Sequence, residues 1–235
     1  GTKMKKIITA IAFIALTTVS AKAVDFGGFS LTAGIGQNSS VWGASGTEKE
    51  YNEAGSSFED NKEHGVFTDD YSSMFLEVGL GQYVSIGYNL SSDPIATPSN
   101  VTNEGDAAQQ ATVQVDFNDF ETQYVKVNVP GGMFIKYGTT NVDIKVNETT
   151  GDGGTYADRT TEGDSIGLGY QGTVGDSGLG FRIETNYVTF DNVTTDNGVA
   201  TGDGTPSNGG RNEINIENME GVNAMFALTY TLGRN

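Results

Sequence analysis

The chain has 235 residues, of which 33 are glycine, 4 are proline and none is cysteine, and its formal net charge is −17. This charge argues against nucleic-acid binding, because an acidic surface repels phosphates, and the lack of cysteine argues against a disulfide-stapled secreted domain. Beyond residue 23 no apolar stretch approaches the roughly 20 residues of a membrane-spanning helix, which excludes a helical membrane protein.

The N-terminus predicts a cleaved secretory leader. Lysines flank Met4, an apolar run covers residues 7–16, and Ala21 and Ala23 provide the small-x-small pattern of a cleavage site. We therefore expect residues 1–23 to be removed as leader and signal peptide, and residues 24–235 to form one exported domain.

After the leader, segments of period-two hydrophobicity alternate with polar connections, which predicts β-strands. In chain order they are FSLTAGIGQ from residue 29, MFLEVGLGQYVSIGYNL from 74, ATVQVDFNDFETQYVKVNV from 111, a run from Met133 that continues through Val142 and Ile144, SIGLGYQG from 165, and runs from Leu179 and Val222. The second segment holds two strands around a tight turn at residues 81–83. The count is eight strands.

The connections between these strands alternate in length. Four long polar ones cover residues 38–72, 91–112, 139–165 and 191–213, and three short ones cover residues 81–83, 130–132 and 172–178. The region around Asn118 shifts the phase, which indicates either a bulge or the edge of the membrane band. Ten or twelve strands result if that region or residues 142–146 form separate strands.

The stretch SIGLGYQG contains the spacing Gly167-x-Gly169-x-x-Gly172, which a dinucleotide-binding turn also has. That turn requires a helix to follow the glycines within a βαβ unit. Here another alternating strand follows, so we interpret the glycines as one small face of a strand.

The apolar faces of the strands are expected to point outward into lipid and the small, polar faces into a narrow interior. The few strand charges fall on the small face, and we expect them to form an interior network of Glu77, Lys126, Lys136, Arg182 and Glu184. Tyrosines near strand ends on the apolar faces predict an aromatic girdle at the lipid boundary, formed by Tyr88, Tyr137, Tyr170, Tyr187 and Tyr230.

The signal peptide, eight alternating strands, short turns and long loops together resemble the small outer-membrane β-barrels of Gram-negative bacteria, of the OmpA transmembrane domain, OmpX and opacity-protein kind. The resemblance implies an all-β, closed, antiparallel, up-and-down barrel in the outer membrane. It also implies long extracellular loops, short periplasmic turns and both termini on the periplasmic side.

An eight-stranded barrel is filled by its own side chains, so an open pore is not expected. We expect a surface protein that is not an enzyme and acts in membrane integrity, adhesion or recognition through its acidic loops, with outer-membrane lipid, lipopolysaccharide, and a phage or host ligand as partners. Divalent cations are possible partners of these loops; no cofactor, built metal site or catalytic residue is expected.

Two alternatives stay open at this point. One is a narrow porin-like channel of eight to twelve strands for small solutes. The other is an outer-membrane hydrolase or acyltransferase that uses His64, the single histidine, which lies near Glu63, Asp69 and Asp70 in sequence.

Overall fold

The computed structural model describes residues 27–51, 57–91, 93–103, 110–149, 155–199 and 211–233. The signal segment, with the predicted cleavage residues Ala21 and Ala23, lies outside the described residues, and the predicted division of the chain at residue 23 stays a prediction. No helix in these ranges is long and apolar enough to cross a membrane.

Eleven β-strands form in the described part of the chain. They are β1 Phe29–Tyr51, β2 Ser57–Leu80, β3 Val84–Ser91, β4 Ile95–Ala96, β5 Asn100–Asn103, β6 Gln110–Asn128, β7 Met133–Thr149, β8 Arg159–Thr173, β9 Leu179–Phe190, β10 Val193–Asp196 and β11 Asn212–Leu232.

The strands close into one antiparallel barrel. β1 pairs with both β2 and β11, which joins the first strand to the last and leaves no open edge between them. β3, β4 and β5 follow one another along β6, and β10 continues β9 along β11, so the ring has eight strand positions. The predicted closed, eight-stranded, up-and-down barrel is confirmed.

The three short connections lie at one end of the barrel, which we call the turn end; the opposite end is the loop end. Glycine is required in two of these turns because Gly81 has φ 62° and Gly131 has φ 93°, values that side-chain-bearing residues rarely adopt. The turns between β2 and β3, β6 and β7, and β8 and β9 match the predicted short connections.

The four predicted long connections are too long, because strand continues through most of the described residues in 38–72 and 139–165 and through shorter parts of 91–112 and 191–213. β1 and β2 stay paired beyond residue 38 as far as Tyr51 and Ser57, and β7 continues to Thr149. Residues 52–56, between β1 and β2, are outside the described residues. The reason for the error is that these strand ends carry polar side chains outward, so they lack the apolar outer face that the sequence pattern requires.

The apolar face changes sides along individual strands. On β7, Ile135 and Tyr137 face outward with 51% and 57% of their surface exposed, whereas Val142 and Ile144 are buried inside the barrel. The pairing of β7 with β8 is continuous across this change, so no bulge rotates the side chains. The inversion is therefore encoded by residue type, and it marks where the surroundings change from hydrocarbon to water.

A bulge produces a related change on β6. The register against β7 shifts between Asn118 and Glu121, and Asp119 has φ 54°. On one side of the bulge Phe120, Thr122 and Tyr124 are buried, whereas on the other side Phe117 and Val115 pack against the buried interior residues, so the inward phase changes from even to odd positions. The predicted irregularity near Asn118 is confirmed, and it forms no separate strand.

We call the part with an apolar exterior the membrane segment and the part beyond it, at the loop end, the projecting segment, which comprises residues 42–51, 57–71, 93–103, 110–121, 141–149, 159–163, 188–196 and 211–220. The part of β9 outside the projecting segment, residues 179–187, rises about 23 Å if tilted by roughly 40°, close to the roughly 25 Å apolar band of outer-membrane barrels. β1 has 23 residues and rises about 58 Å at the same tilt, so the barrel extends well beyond the lipid.

Candidate functional site: a lumen closed at two levels

Five charged side chains meet inside the membrane segment. They occupy inward positions of β2, β6, β7 and β9, and none has more than 3% of its surface exposed. This group, which we call the charge cluster, comprises Glu77, Lys126, Lys136, Arg182 and Glu184. The structure brings together all five residues that the sequence placed on the inner face.

Small residues on neighbouring strands make room for the long side chains of the lumen. A Cβ atom at Gly169 would overlap the ring of Phe134, and one at Gly87 would overlap the ring of Tyr124. Gly167 and Gly169 lie in β8, which turns directly into the antiparallel β9. Their spacing therefore serves side-chain packing, and the nucleotide-binding interpretation of SIGLGYQG does not apply.

Glu77 is the centre of the cluster. Its Oε1 accepts hydrogen bonds from Arg182 Nη1 and the Tyr124 hydroxyl, both at 2.8 Å. Its Oε2 accepts from Lys126 Nζ at 2.6 Å and Arg182 Nη2 at 2.7 Å. Two cations and a phenol thus converge on one buried carboxylate, an arrangement in which each charge depends on the others for solvation.

Glu184 forms the second half of the cluster. Its Oε1 accepts from Lys136 Nζ at 2.5 Å and from Asn186 Nδ2 at 3.0 Å. Arg182 Nη1 lies 3.9 Å from Glu184 Oε2, so the arginine links the two carboxylates. This link makes the five charges one connected network across the barrel.

Aromatic rings complete the solvation of the cations. The Arg182 guanidinium carbon lies 4.2 Å from the centre of the Phe75 ring and 5.1 Å from that of Phe134. Lys136 Nζ lies 4.6 Å from the centre of the Tyr124 ring. These cation–π contacts fill the space around the ion pairs, so the network closes the lumen at mid-height.

A second closure lies in the projecting segment and was missed by the sequence interpretation. Trp42 and Phe120 pack edge to face with ring centres 5.6 Å apart, and Phe120 packs on Phe190 at 6.0 Å. We call this interior cluster the upper core; its buried members are Trp42, Tyr71, Ile95, Phe120, Val142, Ile144, Val188, Val193 and Met219. The sequence did contain a signal for this core. Beyond the membrane segment the apolar residues occupy the alternate positions of the strand, as Val142 and Ile144 do on β7.

The upper core is tightly packed. The cavity beside Trp42, Phe67 and Ile95 measures about 30 Å³, which is close to the volume of one water molecule. Below it, Asn223 Nδ2 donates to Asn38 Oδ1 at 3.1 Å and to the Tyr71 hydroxyl at 2.8 Å. A polar layer thus separates the upper core from the charge cluster.

The five predicted girdle tyrosines lie at two different heights. Tyr88, Tyr137 and Tyr187 end the outer apolar band toward the loop end. Tyr137 and Tyr187 donate hydrogen bonds to carboxylates of the neighbouring strand, Asp164 at 2.8 Å and Glu220, respectively, and Tyr88 lies close to Glu121. Tyr170 and Tyr230 lie toward the turn end, where Tyr170 packs on Phe181.

His64 lies on the outer surface of the projecting segment, directly opposite Ser45 in the β1–β2 pair. The Ser45 hydroxyl and His64 Nδ1 are 2.9 Å apart. Asp69, one of the acids near it in sequence, instead accepts from the backbone of Asp70 and Ala96. The serine could not be assigned from sequence because residues 38–72 were interpreted as a loop.

No protein-family model and no curated protein matches the chain. Among solved structures, the outer membrane protein OprG from Pseudomonas aeruginosa is similar with a TM-score of 0.51 and 8% identity, over 86% of this chain and 96% of that chain. At this identity the likeness concerns the fold. The chain has the fold of the outer-membrane β-barrels.

Two further outer-membrane barrels are similar at lower TM-scores. Ail, the attachment invasion locus protein of Yersinia pestis, solved in complex with the heparin analogue sucrose octasulfate, has a TM-score of 0.37 and 9% identity, over 85% of this chain and 99% of that chain. The outer membrane protease OmpT from Escherichia coli has a TM-score of 0.43 and 11% identity, over 91% of this chain and all of that chain, 100%. The predicted small outer-membrane barrel and its outer-membrane location are confirmed.

The expectation that the chain is not an enzyme requires correction. It rested on the single histidine, for which no partner could be assigned from the sequence, and the similar structures include a protease of the outer membrane. Barrel architecture therefore does not exclude catalysis, and neither an enzymatic nor a non-enzymatic role follows from this fold.

Proposed function

We propose that this outer-membrane barrel is a closed anchor that holds its projecting segment at the cell surface, where that segment acts in recognition, adhesion or membrane integrity. The observation that carries the proposal is the second closure. The upper core gives the projecting segment its own packed interior, so the segment is a rigid continuation of the barrel rather than a set of loops. An open pore does not require this core.

The charge of the projecting segment supports a role toward external ligands. The four stretches predicted as long connections hold 21 of the 30 acidic residues, and the described parts of these stretches belong largely to the loop-end half of the barrel. We place this end outside the cell, in line with the resemblance to small outer-membrane barrels. Its partners are then cationic surfaces, or anionic lipopolysaccharide bridged by divalent cations.

The outer rim offers carboxylates for such bridging. Glu121, Asp164 and Glu220, each close to a girdle tyrosine, lie at the edge of the apolar band, where lipid phosphates begin. The test is retention of lipopolysaccharide by the purified barrel. Retention should require Mg²⁺ or Ca²⁺ and be lost in EDTA; retention that is unchanged by EDTA contradicts the bridging role.

The recognition role is tested by shortening one hairpin. Gly43 and Val66 are paired on β1 and β2, so residues 44–65 can be replaced by Asn-Gly, which favours a tight hairpin turn. The variant should still insert as a heat-modifiable barrel but lose binding to cells or lipopolysaccharide. A matched variant at the turn end, Tyr83→Ser, should keep that binding. Equal binding by the wild-type barrel, the shortened variant and Tyr83→Ser contradicts the proposal.

A narrow channel is the second candidate, because the lumen is open at its turn end. A polar cavity of about 250 Å³ lies there, below the charge cluster. Single-channel recordings in planar bilayers separate the two functions. The closed anchor predicts no steady conductance, whereas a regular unitary conductance that Arg182→Gln changes would favour the channel.

A hydrolase or acyltransferase is the third candidate, favoured by the contact between Ser45 and His64. A hydroxyl within hydrogen-bond distance of an imidazole is the minimum for nucleophilic catalysis with a general base. If the pair is catalytic, Ser45→Ala and His64→Ala should each abolish ester or peptide hydrolysis by the folded barrel. Activity that survives both substitutions excludes these residues as the catalytic pair.

A further inference from the structure

The turn end of the lumen is a polar vestibule. It has a volume of about 250 Å³ and is reached between the turns around Gly81 and Gly132. Hydroxyl and amide side chains form most of its wall, and the charge cluster forms its inner end. The polar wall includes Ser85, Asn128, Gln171, Thr173, Thr229 and Thr231. The volume equals that of about eight water molecules, enough for a small polar solute.

Hydrogen-bond acceptors at the inner end are already used. The two oxygens of Glu77 accept four hydrogen bonds, from Arg182 twice, Lys126 and Tyr124. A carboxylate has about four lone-pair positions, so Glu77 is saturated. The Gln171 Oε1 accepts from both Lys126, at 2.8 Å, and Arg182, at 3.2 Å. The inner end of the vestibule therefore offers no free Glu77 oxygen that could accept a hydrogen bond from a solute.

Donors at the same place remain in excess. An ammonium group has three N–H donors, and Lys126 uses two of them within the described residues, for Glu77 and Gln171. The Arg182 Nε atom is buried and has no hydrogen-bond partner among the residues that the structure describes. Both side chains line the vestibule. The wall therefore favours a ligand that accepts hydrogen bonds.

The formal charge points to the same kind of ligand. The charge cluster contains three cations and two carboxylates, all with at most 3% of their surface exposed. The cluster therefore carries one net positive charge in a low-dielectric interior, where such a charge is costly. A single bound anion would neutralise it.

We propose that the vestibule binds a small monovalent carboxylate, with its carboxylate group against Lys126 and the nearby Arg182, and its remaining atoms among the wall hydroxyls. The site lies at the opposite end of the barrel from the projecting segment. It is thus independent of the recognition role and would stand if that role failed.

The experiment uses the refolded barrel in detergent micelles and follows backbone amide NMR signals during titration with sodium acetate. Signals of Gly81, Gly132 and Gly172, which lie at the vestibule or its turns, should shift in a saturable way. The signal of Gly46, in the projecting segment, should not. Acetamide has nearly the same shape without the charge, and it should cause no saturable shift.

Two substitutions test the role of the lysine. Lys126→Gln should weaken acetate binding about tenfold or more, the loss expected for a hydrogen bond to a charged group. Lys126→Arg should keep binding, and Lys145→Gln, an exposed site on the projecting part of β7, should leave it unchanged.

Several results would overturn the proposal. Equal shifts with acetate and acetamide would show that charge is not recognised. Equal shifts with sodium chloride at the same concentration would show that the site does not recognise a carboxylate, because either ionic strength or any small anion would then suffice. These two comparisons need no variant, so they hold even if Lys126→Gln does not fold.

Discussion

Replacing Glu77 by glutamine should destabilise the barrel severely. The substitution keeps the size of the side chain but leaves Arg182 and Lys126, both nearly inaccessible to solvent, without the carboxylate that both contact at 2.6 to 2.8 Å. Removing one partner of a buried ion pair typically costs about 3–5 kcal/mol. Because Glu77 serves two cations, we expect a loss at the upper end of that range.

Urea unfolding in lipid vesicles measures this loss. Trp42 is the one tryptophan of the chain and is buried in the upper core, so its fluorescence reports on opening of the barrel. Glu63→Gln, at an exposed position of the same strand, is the control and should change stability by less than about 0.5 kcal/mol. A double variant, Glu77→Gln with Arg182→Met, should recover part of the loss because it removes one unpaired charge.

The reasoning is refuted if Glu77→Gln costs less than about 1 kcal/mol, the range of solvent-exposed ion pairs. That result would mean that water reaches the cluster and solvates the cations. The lumen would then be hydrated at mid-height, and the charge cluster would no longer close it.

Two further substitutions test packing at different heights. Ile144→Ala, in the upper core, should lower the free energy of unfolding by about 2–5 kcal/mol in the same assay. Lys145→Ala, at the next residue, which faces outward, should leave it nearly unchanged. Equal losses in the two variants would contradict the inward position of the apolar residues in the projecting segment. Gly169→Val should prevent folding because its side chain would overlap the Phe134 ring, as judged by loss of the heat-modifiable band on a gel. Gly46→Val, where a Cβ has open space, is the control, and a folded Gly169→Val barrel would show that the lumen is less crowded than described.

The membrane segment was predictable from sequence because lipid imposes a strict alternation. Most outward residues there are apolar, so positions such as Ile35, Ile135 and Leu228 show the period of two directly. The inner charges were also predictable, since Lys126 and Glu184 fall on the opposite phase of strands with a clear apolar face. Which cation contacts which carboxylate depends on strand register and was not predictable.

The projecting segment was not predictable as strand by the same rule. Its outer face lies in water, so its apolar residues point inward, as Trp42 and Val142 do, and they fall in the opposite phase. A pattern search with one fixed apolar face ends each strand at the lipid boundary. The contact between Ser45 and His64 was hidden for the same reason, because both residues lie in a hairpin that was interpreted as a loop.

The central claim is that the outside of the barrel changes from lipid to water partway along its long strands. A spin-label scan tests it most directly, because the chain has no cysteine and single cysteines can be placed at outward positions 133, 135, 137, 139, 141, 143 and 145 of β7. In bilayers, labels at 133 to 137 should be accessible to oxygen, and labels from 141 onward should be accessible to a water-soluble nickel complex. Labels that remain oxygen-accessible and nickel-protected through position 145 would contradict the account.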